Sequence, residues 1–290
     1  IFAQEHLLTE ARSLFEQQHY SAAQSVLNQM INNQEINAEI MYLNARCSKE
    51  LFLTDAIVLY KELNQIFPYH SYKDDVKKDM GLIYYRQKQY VAAIDCFTSL
   101  KQLSNEYLFK LAYSYFSIDS LDQAQLYFSK ISNKSSKFGS VSQYYYACIA
   151  YDKGLYKSAL ENFKKLIDDQ VFGSIVPYYI TQIFHFQNEY RQLIAFAEPL
   201  LDDVISSRKP EIHRCLAEAY YRTNDFLKAT YHFEMFIELA SAKNPLVYYY
   251  LGYSYYKLGY YENAVSNFEN VKSNSDSIIQ YSSYFLNFCK

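Results

Sequence analysis

The sequence predicts an all-α solenoid, in which helix pairs stack side by side along the chain. Three observations predict it. An alanine recurs at Ala23, Ala56, Ala93, Ala124, Ala159, Ala229 and Ala264, with Leu193 in the one slot where it is missing, at gaps of 31 to 37 residues. A second small-residue site lies twelve residues upstream of each, at Ala11, Asn44, Gly81, Ala112, Ala147, Thr181, Ala217 and Gly252. The chain of 290 residues also has only 6 Gly and 5 Pro, and half of it is apolar. A period near 34 residues is that of a helix–turn–helix repeat, whose units bury their apolar faces only on their neighbours.

The surroundings of each alanine define the second helix of each unit, helix B. An aromatic or leucine stands three residues before it, as at Tyr20, Leu121, Tyr156 and Tyr261, and a large apolar residue four after it, as at Leu27, Tyr60, Phe97, Phe128, Phe163, Phe233 and Phe268. A further apolar residue follows seven after it, from Met30 to Val271. These offsets fall on one helix face, with the small residue admitting a neighbouring helix. The upstream small site marks helix A. Five residues before the alanine stand Asp119, Gly154, Asn188, Asn224 and Gly259, suited to a left-handed helix C-cap.

With these residues in register, the chain resembles the tetratricopeptide repeat family. The eighth unit carries the pattern most fully, in Tyr248, Leu251, Gly252, Tyr255, Gly259, Tyr261, Ala264 and Phe268; the third carries Gly81, Tyr84, Tyr90, Ala93 and Phe97, and Pro68 closes the second. The resemblance implies a right-handed α–α superhelix of about eight helix pairs plus a terminal helix, in one continuous domain over 5–289. Its units lie near 4–36, 37–73, 74–104, 105–139, 140–173, 174–209, 210–244 and 245–275, with a lone helix at 276–289.

The sixth unit departs from the pattern. Leu193 takes the alanine site, and Ala197 takes the large site beyond it. Pro199 should break this B helix, with a longer polar loop over Asp202–Lys209 and a bend in the superhelix over 193–209. The start, Ile1-Phe2-Ala3-Gln4, looks like a signal-peptide remnant, which gives a periplasmic or otherwise exported protein as the expectation and the cytoplasm as the alternative. High Tyr, Asn, Ser, Ile and Lys usage is similar to that of long exported tetratricopeptide proteins of the Bacteroidetes. The lone last helix, rich in Tyr281, Tyr284, Phe285 and Phe288, gives as an expectation an N-terminal piece of a longer repeat protein that could self-associate through 278–288; the alternative is that this helix is itself the cap.

Several classes of function are argued against. A balance of 28 basic and 31 acidic residues does not make a nucleic-acid groove. No apolar run is long enough for a transmembrane segment. No phosphate-binding glycine loop or nucleophile elbow is present. His6–Glu10 and His185–Glu189, each four apart, read as surface helix pairs, and His213 and His232 as residues explained by helix packing. The five cysteines, Cys47, Cys96, Cys148, Cys215 and Cys289, read as free and mostly buried thiols. The expectation is a non-enzyme with no cofactor and no metal.

The resemblance also places A-helix positions on an inner wall. These are Phe109, Tyr113 and Phe116 in unit four; Tyr144, Cys148 and Tyr151 in unit five; Tyr178, Gln182 and His185 in unit six; Arg214, Glu218, Tyr221 and Arg222 in unit seven; and Tyr249, Tyr253, Tyr256 and Lys257 in unit eight. Such an aromatic stripe suits a peptide or protein partner, because tyrosine offers a large face, little rotamer entropy and a polar tip. Several of these rings have an alternative role, packing between adjacent A helices. The family's carboxylate clamp uses Lys and Asn at two wall positions; only Lys78 matches, and its neighbour is Leu82, so that ligand is not implied. The readings are a protein-interaction scaffold, a glycan-binding module, or the recognition arm of a larger enzyme or regulator. Replacing Ala124 with Phe should overpack the A–B interface and cost about 1–3 kcal/mol, read as a fall in thermal midpoint; an unchanged midpoint would refute the register.

Overall fold

The computed structural model describes residues 2–132, 136–240, 244–271 and 276–289, with the side chains of 2–4 and 276 outside the description. The reading of Ile1–Gln4 as a leader remnant lies outside those described side chains. Among the described residues every regular element is a helix. Eight pairs follow in order: α1 (Phe2–Glu16) and α2 (Tyr20–Asn32), α3 (Ala38–Glu50) and α4 (Ala56–Ile66), α5 (Lys73–Arg86) and α6 (Tyr90–Thr98), α7 (Asn105–Ser117) and α8 (Leu121–Ser132), α9 (Gly139–Asp152) and α10 (Tyr156–Lys164), α11 (Val176–Phe186) and α12 (Tyr190–Ala197), α13 (Lys209–Arg222) and α14 (Phe226–Leu239), α15 (Pro245–Leu258) and α16 (Tyr261–Glu269). A single helix, α17 (Asp276–Cys289), comes last.

Each A helix ends in the same hydrogen-bonded turn. The amide two residues past the cap donates to the carbonyl five residues back, as in His19 to Leu14, Gln89 to Tyr84, Ser120 to Tyr115, Leu155 to Ala150, Glu189 to Phe184, Asp225 to Tyr220 and Tyr260 to Tyr255. This is the Schellman arrangement, and it needs a left-handed residue just before the donor. Asp119, Asn188, Asn224, Gly154 and Gly259 all have positive φ there, as the sequence predicts; Gln18 and Lys88 do so as well, without a sequence signal. In the second pair the motif slides by one residue: Leu53 donates to Ser48, Phe52 takes the left-handed conformation, and α4 begins only at Ala56. A-helix starts are capped where side chains allow. Asn37 accepts from the Ile40 amide and Asn244 from that of Leu246, while Pro177, Pro210 and Pro245 sit in first turns, where a missing N–H costs nothing.

The recurring alanines and Leu193 are all buried to within 1% of full occlusion. The large residue four beyond the alanine reaches the small site on its paired A helix. At Gly81 an added Cβ would meet the Phe97 ring at 2.6 Å, and at Gly252 the Phe268 ring at 2.9 Å. Phe97, Phe128, Phe163 and Phe233 are fully buried. A ring so removed from water stabilises by about 1.5–3 kcal/mol. The second pair solves the slot with polar groups. Asn44 donates to Asn28 Oδ1 at 3.2 Å, while Tyr60 donates to Asp79 Oδ2 at 2.8 Å and Lys49 Nζ meets Asp79 Oδ1 at 2.6 Å. This buried pair ties α3, α4 and α5 together.

The chain forms two compact units, Ile1–Ser142 and Gln143–Lys290. The first has three apolar clusters in succession, around Leu27 and Met30, around Tyr60 and Leu63, and around Phe97 and Leu111. The second has one core running from Ala147 to Leu251. Cys47 and Cys215 are buried, whereas Cys96, Cys148 and Cys289 are partly exposed, so full burial of the thiols holds for two of the five.

Within the second unit, α12 stops at Ala197 and a short 3-10 turn over Glu198–Leu200 carries Pro199. The segment that follows is not a free loop: Val204 is buried, and the Ile205 amide donates to the Ser174 carbonyl at 3.2 Å. Large and small have exchanged places as the sequence indicates, and Leu193, Ala197 and Thr181, at the small site of α11, are all buried. The Thr181 hydroxyl is buried and has no hydrogen-bond partner among the described residues. Thr181→Val should therefore raise stability by about 1 kcal/mol, since the shape is kept and an unpaired polar atom is removed; a lower urea midpoint in the variant would contradict this.

Candidate functional site

In the first unit, Phe109, Tyr113 and Phe116 lie on α7, all half-buried. Phe109 stacks on Tyr113 at 6.2 Å and on Phe138 at 5.4 Å, and Tyr113 meets Tyr85 edge-on at 6.0 Å. The three form one aromatic patch that also includes Tyr90.

In the second unit, the A helices α9, α11, α13 and α15 carry the other fourteen wall positions, of which Gln182 is buried, Cys148 and Glu218 are half-buried, and Arg222 and Lys257 are exposed. Tyr144, Tyr151, Tyr178, His185, Arg214, Tyr221, Tyr249, Tyr253 and Tyr256 are all half-buried, none fully exposed and none fully occluded. Each ring thus leans on a neighbour and keeps part of its surface. Tyr144 stacks on Phe172 at 4.6 Å and its hydroxyl lies 3.3 Å from that of Tyr179; Tyr151 meets Tyr179 edge-on at 5.5 Å. Tyr221 contacts Tyr250 at 4.7 Å and Tyr253 at 5.7 Å, and Tyr253 continues to Tyr256 at 6.2 Å. Phe285 of α17 then covers Tyr253 and Tyr256 at 5.1 and 5.3 Å, so this end of the stripe is partly packed by the chain itself. On α17, Tyr281, Tyr284 and Phe288 stay exposed.

Between these aromatic groups sits a polar cluster. His185 Nε2 lies 2.8 Å from Glu218 Oε2, and Arg214 donates to Glu218 Oε1 at 2.6 Å and to Glu211 at 2.8 Å. The sequence pairs His185 with Glu189; the structure pairs it with Glu218 on the next A helix instead. Hydrogen bonds from His185 and Arg214 outweigh burial and hold the Glu218 carboxyl below its usual range. Burial pushes the phenol of Tyr151 up to about 12 and raises those of Tyr144, Tyr221 and Tyr249, so all four remain neutral donors near neutrality.

Cations lie on several of these rings. Arg208 is 4.3 Å from the centroid of Tyr178, Lys257 is 5.4 Å from that of Tyr253, and Arg222 is 5.9 Å from both Tyr221 and Tyr250. Arg208, Phe172, Tyr179 and Tyr250 escaped the sequence reading, which named Phe285 only as part of the last helix and not as a neighbour of the stripe. Tyr179 and Tyr250 stand beside wall positions and were legible as neighbours, whereas Phe172 lies in an irregular segment with no periodic signal. Among the described residues, no group of three or more His, Cys, Asp or Glu is placed to hold a metal ion. No helix among them is long and apolar enough to cross a membrane.

These stacked helix pairs, with small-against-large packing and aromatic A-helix faces, define a helical-repeat protein. A tetratricopeptide repeat family model matches residues 246–277, and solved structures of tetratricopeptide repeat proteins share the fold. The C-terminal part of a TPR repeat-containing protein from Cytophaga hutchinsonii is similar at 14% identity and a TM-score of 0.51, over 94% of this chain and 98% of that one. The Pseudomonas aeruginosa protein pilF is similar at 14% identity and a TM-score of 0.51, over 73% of this chain and 97% of its own. A tetratricopeptide repeat protein from Parabacteroides merdae aligns at 12% identity and a TM-score of 0.49, over 88% and 99%. No curated protein matches the sequence.

A second titratable cluster lies apart from the stripe. His213 of α13 and His232 of α14 are buried, with Nδ1 atoms 3.0 Å apart, and His232 stacks on Tyr220 at 5.5 Å. Burial, then the neighbouring His213, pushes His232 down to about 4 from 6.5, and burial also lowers His213. A lowered histidine favours folding while it is neutral. The unfolded chain takes up its proton first as pH falls, so this stability is full above about 6.5 and is lost toward about 4. The loss is roughly 3 kcal/mol at the acid end. The double variant His213→Leu, His232→Phe should lose less stability over this interval than the parent chain, by urea unfolding at several pH values; parallel curves would refute the assignment.

Proposed function

We propose that the protein is a non-catalytic interaction scaffold that binds a peptide or partner protein on the A-helix face of its second unit. One observation carries this reading. Nine side chains at equivalent repeat positions, on four A helices, are held half-buried by ring and ion-pair contacts while keeping part of their surface open. Rings fixed in this way lose little further freedom when a ligand stacks on them, which is the condition for anchor residues. The phenols remain neutral hydrogen-bond donors beside apolar faces. The α7 patch of the first unit is a smaller surface of the same kind.

A random-peptide display selection against the full chain tests this. Selected peptides should bind the double variant Tyr221→Ala, Tyr253→Ala about tenfold more weakly than the parent, a typical loss for central aromatic anchors. Unchanged affinity by calorimetry would remove this face from the account.

A further inference from the structure

We infer that this face is selective for acidic segments: an extended peptide with carboxylates three residues apart, laid across the C-terminal ends of α13 and α15. The inference rests on the proposed binding face and names its ligand chemistry. Arg222 and Lys257 stand in the last turns of these two A helices, at the same place in successive repeats. Both are exposed. Each lies against groove tyrosines, Arg222 on Tyr221 and Tyr250 and Lys257 on Tyr253. Among the described residues neither has a carboxylate within salt-bridge distance.

The surrounding charges leave these two unneutralised. Glu211 and Glu218 of α13 are engaged by Arg214 and His185. α15 contains no carboxylate. Glu189 and Arg191 line the cleft beside Arg222, and their opposite charges offset each other. A cation in a last helical turn is favoured by the helix dipole alone, but that does not account for the pattern. The same repeat place is Asp152 on α9 and Phe186 on α11, so the cations belong to this end of the face and not to helix endings in general.

The spacing fixes the ligand. α13 contacts α15, and packed helices stand about 8–10 Å apart. A chain in the extended polyproline II form advances about 3.1 Å per residue with three residues per turn, so carboxylates at i and i+3 share one face and reach both cations. The side chains between them meet Tyr221 and Tyr253, whose centroids are 5.7 Å apart. Two cations on a chain of net charge −3 are too few for a nucleic-acid backbone, where affinity grows with many phosphate contacts.

The test is fluorescence polarisation with the full chain and labelled peptides of about twelve residues, roughly four turns of that extended form. One has glutamate at every third position with leucine and alanine between, an isomer has the glutamates contiguous, a third has lysine for glutamate, and an oligothymidylate probes general polyanion binding. The every-third-glutamate peptide should bind about tenfold tighter than its isomer or the lysine peptide. It should weaken about tenfold in Arg222→Gln, Lys257→Gln, and lose affinity between about 50 and about 500 mM NaCl. Both substitutions are at exposed sites, and circular dichroism checks that the fold is kept. Failure of every peptide to bind, equal binding of the lysine peptide or the isomer, indifference to the double charge variant, or equal binding of the oligothymidylate overturns the inference. Display-selected peptides that depend on Tyr221 and Tyr253 but ignore both cations would overturn it while leaving the binding face standing.

Discussion

The architecture depends on one contact, a large side chain on each B helix filling a gap left by a small residue on the A helix of the same pair. Phe97 over Gly81 and Phe268 over Gly252 show how little room remains, since even a methyl group at either glycine would collide with the ring. The contact sets how closely the two helices approach, and the recurring alanine on helix B sets the approach from the other side. Because both are fixed by residue size, the repeat tolerates change elsewhere. Its exceptions are instructive for the same reason. In the sixth pair bulk moves from the far site to Leu193 and the small site of α11 holds Thr181, so volume is conserved by exchange. In the second pair the gap holds Asn44, and the large residue is Tyr60, whose hydroxyl is drawn into the buried Lys49–Asp79 pair.

What repeats was legible in the sequence, because a core made of equivalent contacts leaves a periodic trace. The helix pairs, the buried alanines and the break at Pro199 all follow from spacing and size. The left-handed turns were legible only where glycine, asparagine or aspartate occupies them. Gln18, Phe52 and Lys88 adopt the same conformation against their preference. The cost of that backbone, about 1–2 kcal/mol, is offset by the hydrogen bonds of the turn and by the helix pairing that demands it. Local propensity is a weak guide where tertiary geometry fixes the chain.

The candidate site was legible as a list of positions but not as an arrangement. Helical register selects Tyr144, Tyr178, Tyr221 and Tyr253, yet says nothing about which rings they touch. Their partners include Phe172, from an irregular segment, and Arg208, from the turn preceding α13. His185 finds Glu218 across a helix–helix boundary rather than Glu189 along its own chain, because the side chain points toward the adjacent A helix. The His213–His232 pair is likewise invisible to any repeat-based reading. It occurs once, between two helices whose other repeats place unrelated residues there.

This separation between what recurs and what occurs once explains how one scaffold acquires a particular surface. The positions that hold the helix pairs together are constrained by volume and cannot carry much chemistry. The wall positions lie outside that constraint, and their side chains vary from repeat to repeat. Along the second unit the last-turn wall position runs from Asp152 through Phe186 to Arg222 and Lys257, while aromatic rings persist beside it. A change of charge against a constant aromatic background costs the core nothing, since none of these side chains fills the A–B gap. It alters the field above the rings, where a bound segment would place its own charges. The packing rule therefore fixes where the wall residues stand, and under the proposed binding reading the single-instance residues would decide what that wall recognises.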